Sequence, residues 1–168
     1  MTVNLKTYDS VGGFSVNNTT LVNDLKDFKN VNSLEVKNSF FSDASTTKYI
    51  LRGINTAILS SNSTGEQIII PSSSLSFITG NIVGVNASGG GSLALKIESS
   101  VTSSAAGDVQ VLSSLTTVIQ DSIPTGESWD AITYDTGSAN RFSYSTTRSG
   151  TITEINWVAS VEVVTVYW

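Results

Sequence analysis

The segment EINWVASVEVVTVYW, residues 154–168, restricts the fold more than any other part of the sequence. Its apolar residues Ile155, Trp157, Ala159, Val161 and Val163 fall on alternate positions, which is the two-residue period of a strand with one covered face. A helix would need spacings of three and four. Trp157, Ala159 and Val161 are therefore core markers of this strand. Its far end is apolar on the opposite positions too, through Val164, Val166 and Trp168. Ends of chains are ordinarily polar and mobile. Val164, Val166, Tyr167 and Trp168 are accordingly expected at an oligomer interface, where apolar surface is covered by a sister subunit.

The preceding hundred residues carry the same period, broken by turn chemistry. Leu93, Leu95 and Ile97 alternate with Ala94, Lys96 and Glu98, and Phe142, Tyr144 and Thr146 alternate with Arg141, Ser143 and Ser145. Pro124 and Gly126 suit a turn in which proline presets φ and glycine takes φ > 0. Gly80 and Gly84, inside SLSFITGNIVGV, mark bulges or close approaches of the backbone. Trp129 opens a strand and caps the core at one end. With 28 Ser and 20 Thr among 168 residues and few long-chain helix formers, the composition points the same way. The expected architecture is all-β, an antiparallel β-sandwich or jelly-roll-like domain over 66–168. A short N-terminal arm over 1–65 precedes it. In that arm Leu21, Leu25 and Phe28 fit one helical face, in competition with a strand.

The chain contains neither His nor Cys, which removes Ser-His-Asp triads, Cys-His pairs and the usual zinc sites. No phosphate-binding glycine motif occurs, and GGG at 89–91 leads into a strand. Residues 61–168 carry three basic against nine acidic groups, so nucleic acid is not an expected partner. No run of 18 apolar residues and no secretory leader pattern is present, and the expectation is synthesis in the cytoplasm without membrane insertion. Asp130, Asp135 and Glu154 are the candidates for a glycosidase-like carboxylate pair, and the two aspartates with Asn140 for a Ca²⁺ site. Asp at strand ends more often caps turns, so the reading is a non-enzymatic protein with no cofactor and no metal. Tyr134 and Tyr144 are candidate contacts for a glycan, because an aromatic face is apolar while its rim is polar.

Trp129-Asp130 opening a strand, RFSYSTTRSGT, and a closing INWVASVEVVTV together resemble the small β-domain of tail fibres and related appendage proteins of tailed bacteriophages, marine phages especially. The matching residues are Trp129, Asp130, Gly150, Thr151, Trp157, Val158, Ala159, Val161 and Glu162, within a region of about 70–168. The resemblance implies a homotrimeric β-domain displayed on a virion. It implies a short tail fibre or appendage, attached to capsid or tail proteins through the N-terminal arm and facing host surface glycan. A capsid decoration protein and a carbohydrate-binding module are the alternatives.

Overall fold

The computed structural model describes residues 14–16, 19–22, 31–137 and 139–168. Twelve strands follow in chain order: β1 (Phe14–Val16), β2 (Thr19–Val22), β3 (Ser33–Asn38), β4 (Phe41–Ile54), β5 (Ala57–Ile58) and β6 (Ile68–Ile69). β7 (Ser74–Asn86), β8 (Ser92–Ser103), β9 (Val109–Asp121), β10 (Ser128–Asp135), β11 (Arg141–Ser149) and β12 (Ile155–Tyr167) complete the set. All pairings are antiparallel, and no helix occurs among the described residues. The fold is an all-β sandwich.

Two compact units divide the chain, residues 1–32 and 33–168. In the first, β1 pairs with β2, so Leu21 lies in a strand and not on a helix. Leu25 and Phe28 lie outside the described residues. The second unit begins well before residue 65, which corrects the boundary expected from sequence. β4 runs along β12 from Ala44–Val166 to Ile54–Asn156 and is an interior strand of the larger sheet. Its covered positions include Ser45, Thr47 and Gly53, small or polar residues that leave no apolar alternation to read.

The larger sheet has the order β3-β4-β12-β7-β8-β9, and the smaller pairs β11 with β10 on one side and with β5 and β6 on the other. Between them lie Leu51, Ile78, Ile82, Leu95, Ile97, Phe142, Tyr144, Ile155, Trp157, Ala159 and Val161, all fully or almost fully buried. Trp157 meets Trp129 edge to face, with ring centroids 6.4 Å apart. The Trp129 indole donates to Glu127 (3.3 Å), whose carboxylate also accepts from the Ile152 N–H (2.9 Å) and the Thr151 N–H. Partial burial opposes ionisation of Glu127, but those donors outweigh it and hold its carboxyl below the usual range. The turn at Gly150–Thr151 is thereby tied to the start of β10.

Gly80 and Gly84 are close approaches, without a bulge in β7. A Cβ on Gly80 would overlap the Tyr144 hydroxyl, and one on Gly84 would overlap the Trp157 ring. Two large aromatics of the core thus pack close against β7 where it has no side chain. Gly126 takes φ +86° in the Pro124–Glu127 turn, closed by the Glu127 N–H on the Pro124 carbonyl at 3.0 Å.

Candidate functional site

The face of the larger sheet turned away from the core is where the described surface is least like water-facing protein. β12 is central in that sheet, so alternate residues of its neighbours share the face. Val164 lies between Thr46 and Phe77, and Val166 between Ala44 and Leu75. Val36, next to Thr46, extends the row into β3. Val36, Leu75, Phe77, Val164 and Val166 are each at least 40% exposed. Around Phe77, Leu75 and the two valines the surface sinks into a shallow depression of 430 Å³, floored by Ala44 and edged by Ser100. No charged side chain lines it.

A polar belt bounds this patch. Lys48 pairs with Glu162 across β4 and β12 at 3.1 Å, and Lys96 with Glu98 along β8 at 2.9 Å. Thr79, Asn81 and Ser160 fill the space between. Exposed pairs of this kind contribute little to stability, but their fixed charges prevent the sheet from being apolar from end to end. Beyond the belt Ile54, Val83, Val85 and Val158 are exposed again, with the exposed Arg52 beside Val158. The face therefore has an uncharged apolar patch at one end, a charged belt in the middle and a mixed row containing Arg52 at the other.

Four residues expected at an interface separate here by the pleat. Val164 and Val166 lie on the outer face, whereas Tyr167 is half-buried on the other side, its hydroxyl 3.4 Å from Ser45 Oγ. Trp168 is 71% exposed, yet its N–H donates to the Ser73 carbonyl at 3.0 Å, so the strand is held to its last residue. On the covered side, Tyr167 and Tyr49 line a cleft of 190 Å³ with Glu35, Ser45, Thr47 and Thr165. Lys37 sits 5.9 Å from the Tyr167 ring centre and pairs with Glu35. Sequence periodicity indicates which positions of β12 share a face; Leu75, Phe77 and Val36 join them only through long-range register, which no local pattern carries.

Tyr144 is corrected as a glycan contact. It is fully buried, edge to face with Phe142 at 5.4 Å, and presents no ring to solvent. Its hydroxyl has no hydrogen-bond partner among the described residues, a burden of about 1–3 kcal/mol. Burial also pushes its phenol well above the ordinary value of 10. Because the folded state resists ionisation, the stability tied to this group is complete below pH 10 and declines as pH rises further. Tyr144→Phe is expected to gain about 1 kcal/mol at pH 8 and to lessen the loss between pH 9 and 11, read by urea unfolding at each pH. A variant less stable than wild type at pH 8 would contradict the unpartnered hydroxyl. Tyr134 is half-buried on β10 opposite Ser143.

The candidate carboxylates are not brought together. Asp130 and Asp135 are five residues apart on β10, hence on opposite faces and about 17 Å apart along the strand at 3.4 Å per residue. A glycosidase pair needs about 5–9.5 Å. The Asp135 carboxylate accepts from the Val111 N–H (3.1 Å), Asp130 from the Ala131 N–H (2.8 Å), and Glu154 from the Asn156 side chain (3.3 Å). Asn140 takes φ +56° in the β10–β11 loop and donates to Ser72 Oγ at 2.9 Å. Each of these groups has a local structural partner. Among the described residues no three acidic side chains lie close enough together to hold a metal ion.

No family model matches the sequence, and no curated protein matches it. Among solved structures the chain is similar to tailspike protein gp49 from Acinetobacter baumannii bacteriophage Fri1, described as a capsular polysaccharide depolymerase. The likeness has a TM-score of 0.44 and 14% identity, covering 83% of this chain. The chain spans 22% of the tailspike's length. At that level the function has to be argued from the residues of this chain alone.

Proposed function

We propose that the chain is a non-enzymatic structural protein of a tailed-bacteriophage particle, displayed on the particle surface as a short tail fibre or appendage, and that it works by association. Three copies bring the apolar end of the outer face together around Val164, Val166, Leu75 and Phe77. The unit of residues 1–32 serves attachment to other particle proteins. The observation that carries this reading is the uncharged depression at Phe77 and Val164, on a sheet whose core is already complete behind it. The resemblance of the W-D and W-V-A strands to those of phage appendage proteins supports the reading as an appendage.

Magnitudes limit what that patch does alone. Covering the exposed halves of five such side chains contributes roughly 4–7 kcal/mol at the usual value per buried side chain, against an association cost of about 4–15 kcal/mol. The depression is then the centre of an interface whose remainder comes from neighbouring surface, Trp168 included. Val164→Asp places a carboxylate in the middle of it, on an exposed position that leaves the fold intact. Light scattering is expected to give a wild-type mass three times that of Val164→Asp. On purified phage particles, antibody-gold labelling is expected at the tail. A wild-type monomer insensitive to Val164→Asp, or a protein absent from particles, would refute the reading.

A further inference from the structure

The two edges of the larger sheet are built differently. β3 is short, charged at Glu35 and Lys37, and loses register at Asn38, which are ordinary devices against pairing with another strand. β9 shares only the last of these, its register against β8 shifting at Leu112 and at Ile119, and between those two points it runs unbroken. It is 13 residues long, pairs among the described residues only with β8, and carries no charge and no proline from Val109 to Gln120. Leu112, Leu115, Val118 and Ile119 are each more than half exposed, and every residue from Leu112 to Asp121 is exposed. Asp135 takes the Val111 N–H, so the open part of the edge begins at Leu112.

The sequence of this edge identifies its partner. Residues 110–120 read QVLSSLTTVIQ, a palindrome by residue class centred on Leu115. Laid antiparallel on a copy of itself about that centre, β9 sets Leu115 opposite Leu115, Ser114 opposite Thr116, Ser113 opposite Thr117 and Leu112 opposite Val118. Val111 then meets Ile119 and Gln110 meets Gln120. The nearest charges, Asp108 and Asp121, fall opposite Ser122 and Val109, so no like charges face each other. A two-fold contact requires this self-complementarity, because each residue pair occurs twice. Apolar and Ser/Thr cross-strand pairs are also those that stabilise antiparallel sheets.

We propose that β9 is a seam between two copies of this chain, which pair antiparallel over Ser113–Thr117 about a two-fold axis at Leu115 and join two six-stranded sheets into one. The seam uses the sheet edge and is independent of the outer-face patch. If that patch gathers three copies, the seam couples two such groups.

The chain has no cysteine, so single cysteines report the register. In the full-length protein Leu115→Cys lies next to its own counterpart, with Cβ atoms about 4.5–5.5 Å apart, and mild oxidation is expected to give a reducible dimer in high yield. Ser113→Cys alone is expected to remain uncross-linked, and a mixture of Ser113→Cys with Thr117→Cys to cross-link. Leu115→Lys sets two like charges face to face on an exposed position and is expected to halve the mass measured by light scattering, with an unchanged circular dichroism spectrum. An unchanged mass for folded Leu115→Lys overturns the seam. So does Leu115→Cys cross-linking no faster than Ser113→Cys, as a seam with another strand or random collision would give.

Discussion

Trp157→Ala is expected to lower the unfolding free energy by about 3–5 kcal/mol, the range for large-to-small changes at buried aromatic positions. The indole is fully buried in the centre of the sandwich, in a T-shaped contact with Trp129 and closely packed on Gly84. Its N–H has no partner among the described residues, so the loss is one of packing and not of a hydrogen bond. The site cannot collapse to fill the cavity, because β12 is held on both sides along its whole length by β4 and β7. Domains of this size are stable by about 5–15 kcal/mol, so the loss is a large share of the total. Urea denaturation of wild type and variant measures the difference. A cost below about 1 kcal/mol would be outside the range for a buried indole and would show that the ring is not packed as described.

The second large effect comes from the other side of the same contact. Gly84→Ala adds a single carbon that overlaps Trp157 Cζ3 and lies 2.6 Å from Cε3. An interior strand and a ring confined by Trp129 have little room to move apart, and overpacking of this kind costs about 1–3 kcal/mol. The two substitutions are strongly coupled. In a Trp157→Ala background Gly84→Ala is expected to cost almost nothing, or to restore part of the lost packing, giving an interaction energy of about 1–3 kcal/mol in a double-mutant cycle. The same cost in both backgrounds would mean that the glycine is needed for its backbone and not for the space above it.

What was legible in the sequence is what depends on local period. The alternation in β12 identifies Trp157, Ala159 and Val161 as sharing a face, and these are buried. The Pro124–Gly126 turn and the close approaches at Gly80 and Gly84 follow from single residues whose backbone chemistry is distinctive. That the strand β4 belongs to the main domain was illegible for a physical reason. Its covered face is built from Ser45, Thr47, Tyr49, Leu51 and Gly53, while its outer face carries Ile50 and Ile54, so apolarity does not separate the two sides. The boundary at residue 65 fails there. Tyr144 went astray differently: its alternation with Ser143 places it beside Phe142, but the space that admits a buried phenol is created by Gly80, 64 residues away. The outer-face patch combines β3, β7 and β12 through register alone.

Association through the outer face is the claim on which the functional account depends, and hydroxyl-radical footprinting of the full-length protein in solution tests it most directly. Leu75, Phe77 and Trp168 are expected to label several-fold more slowly in wild type than in Val164→Asp, while Tyr134, on the opposite sheet, labels equally in both. Equal labelling of Phe77 in the two proteins, with both of them of the same mass, would contradict the account.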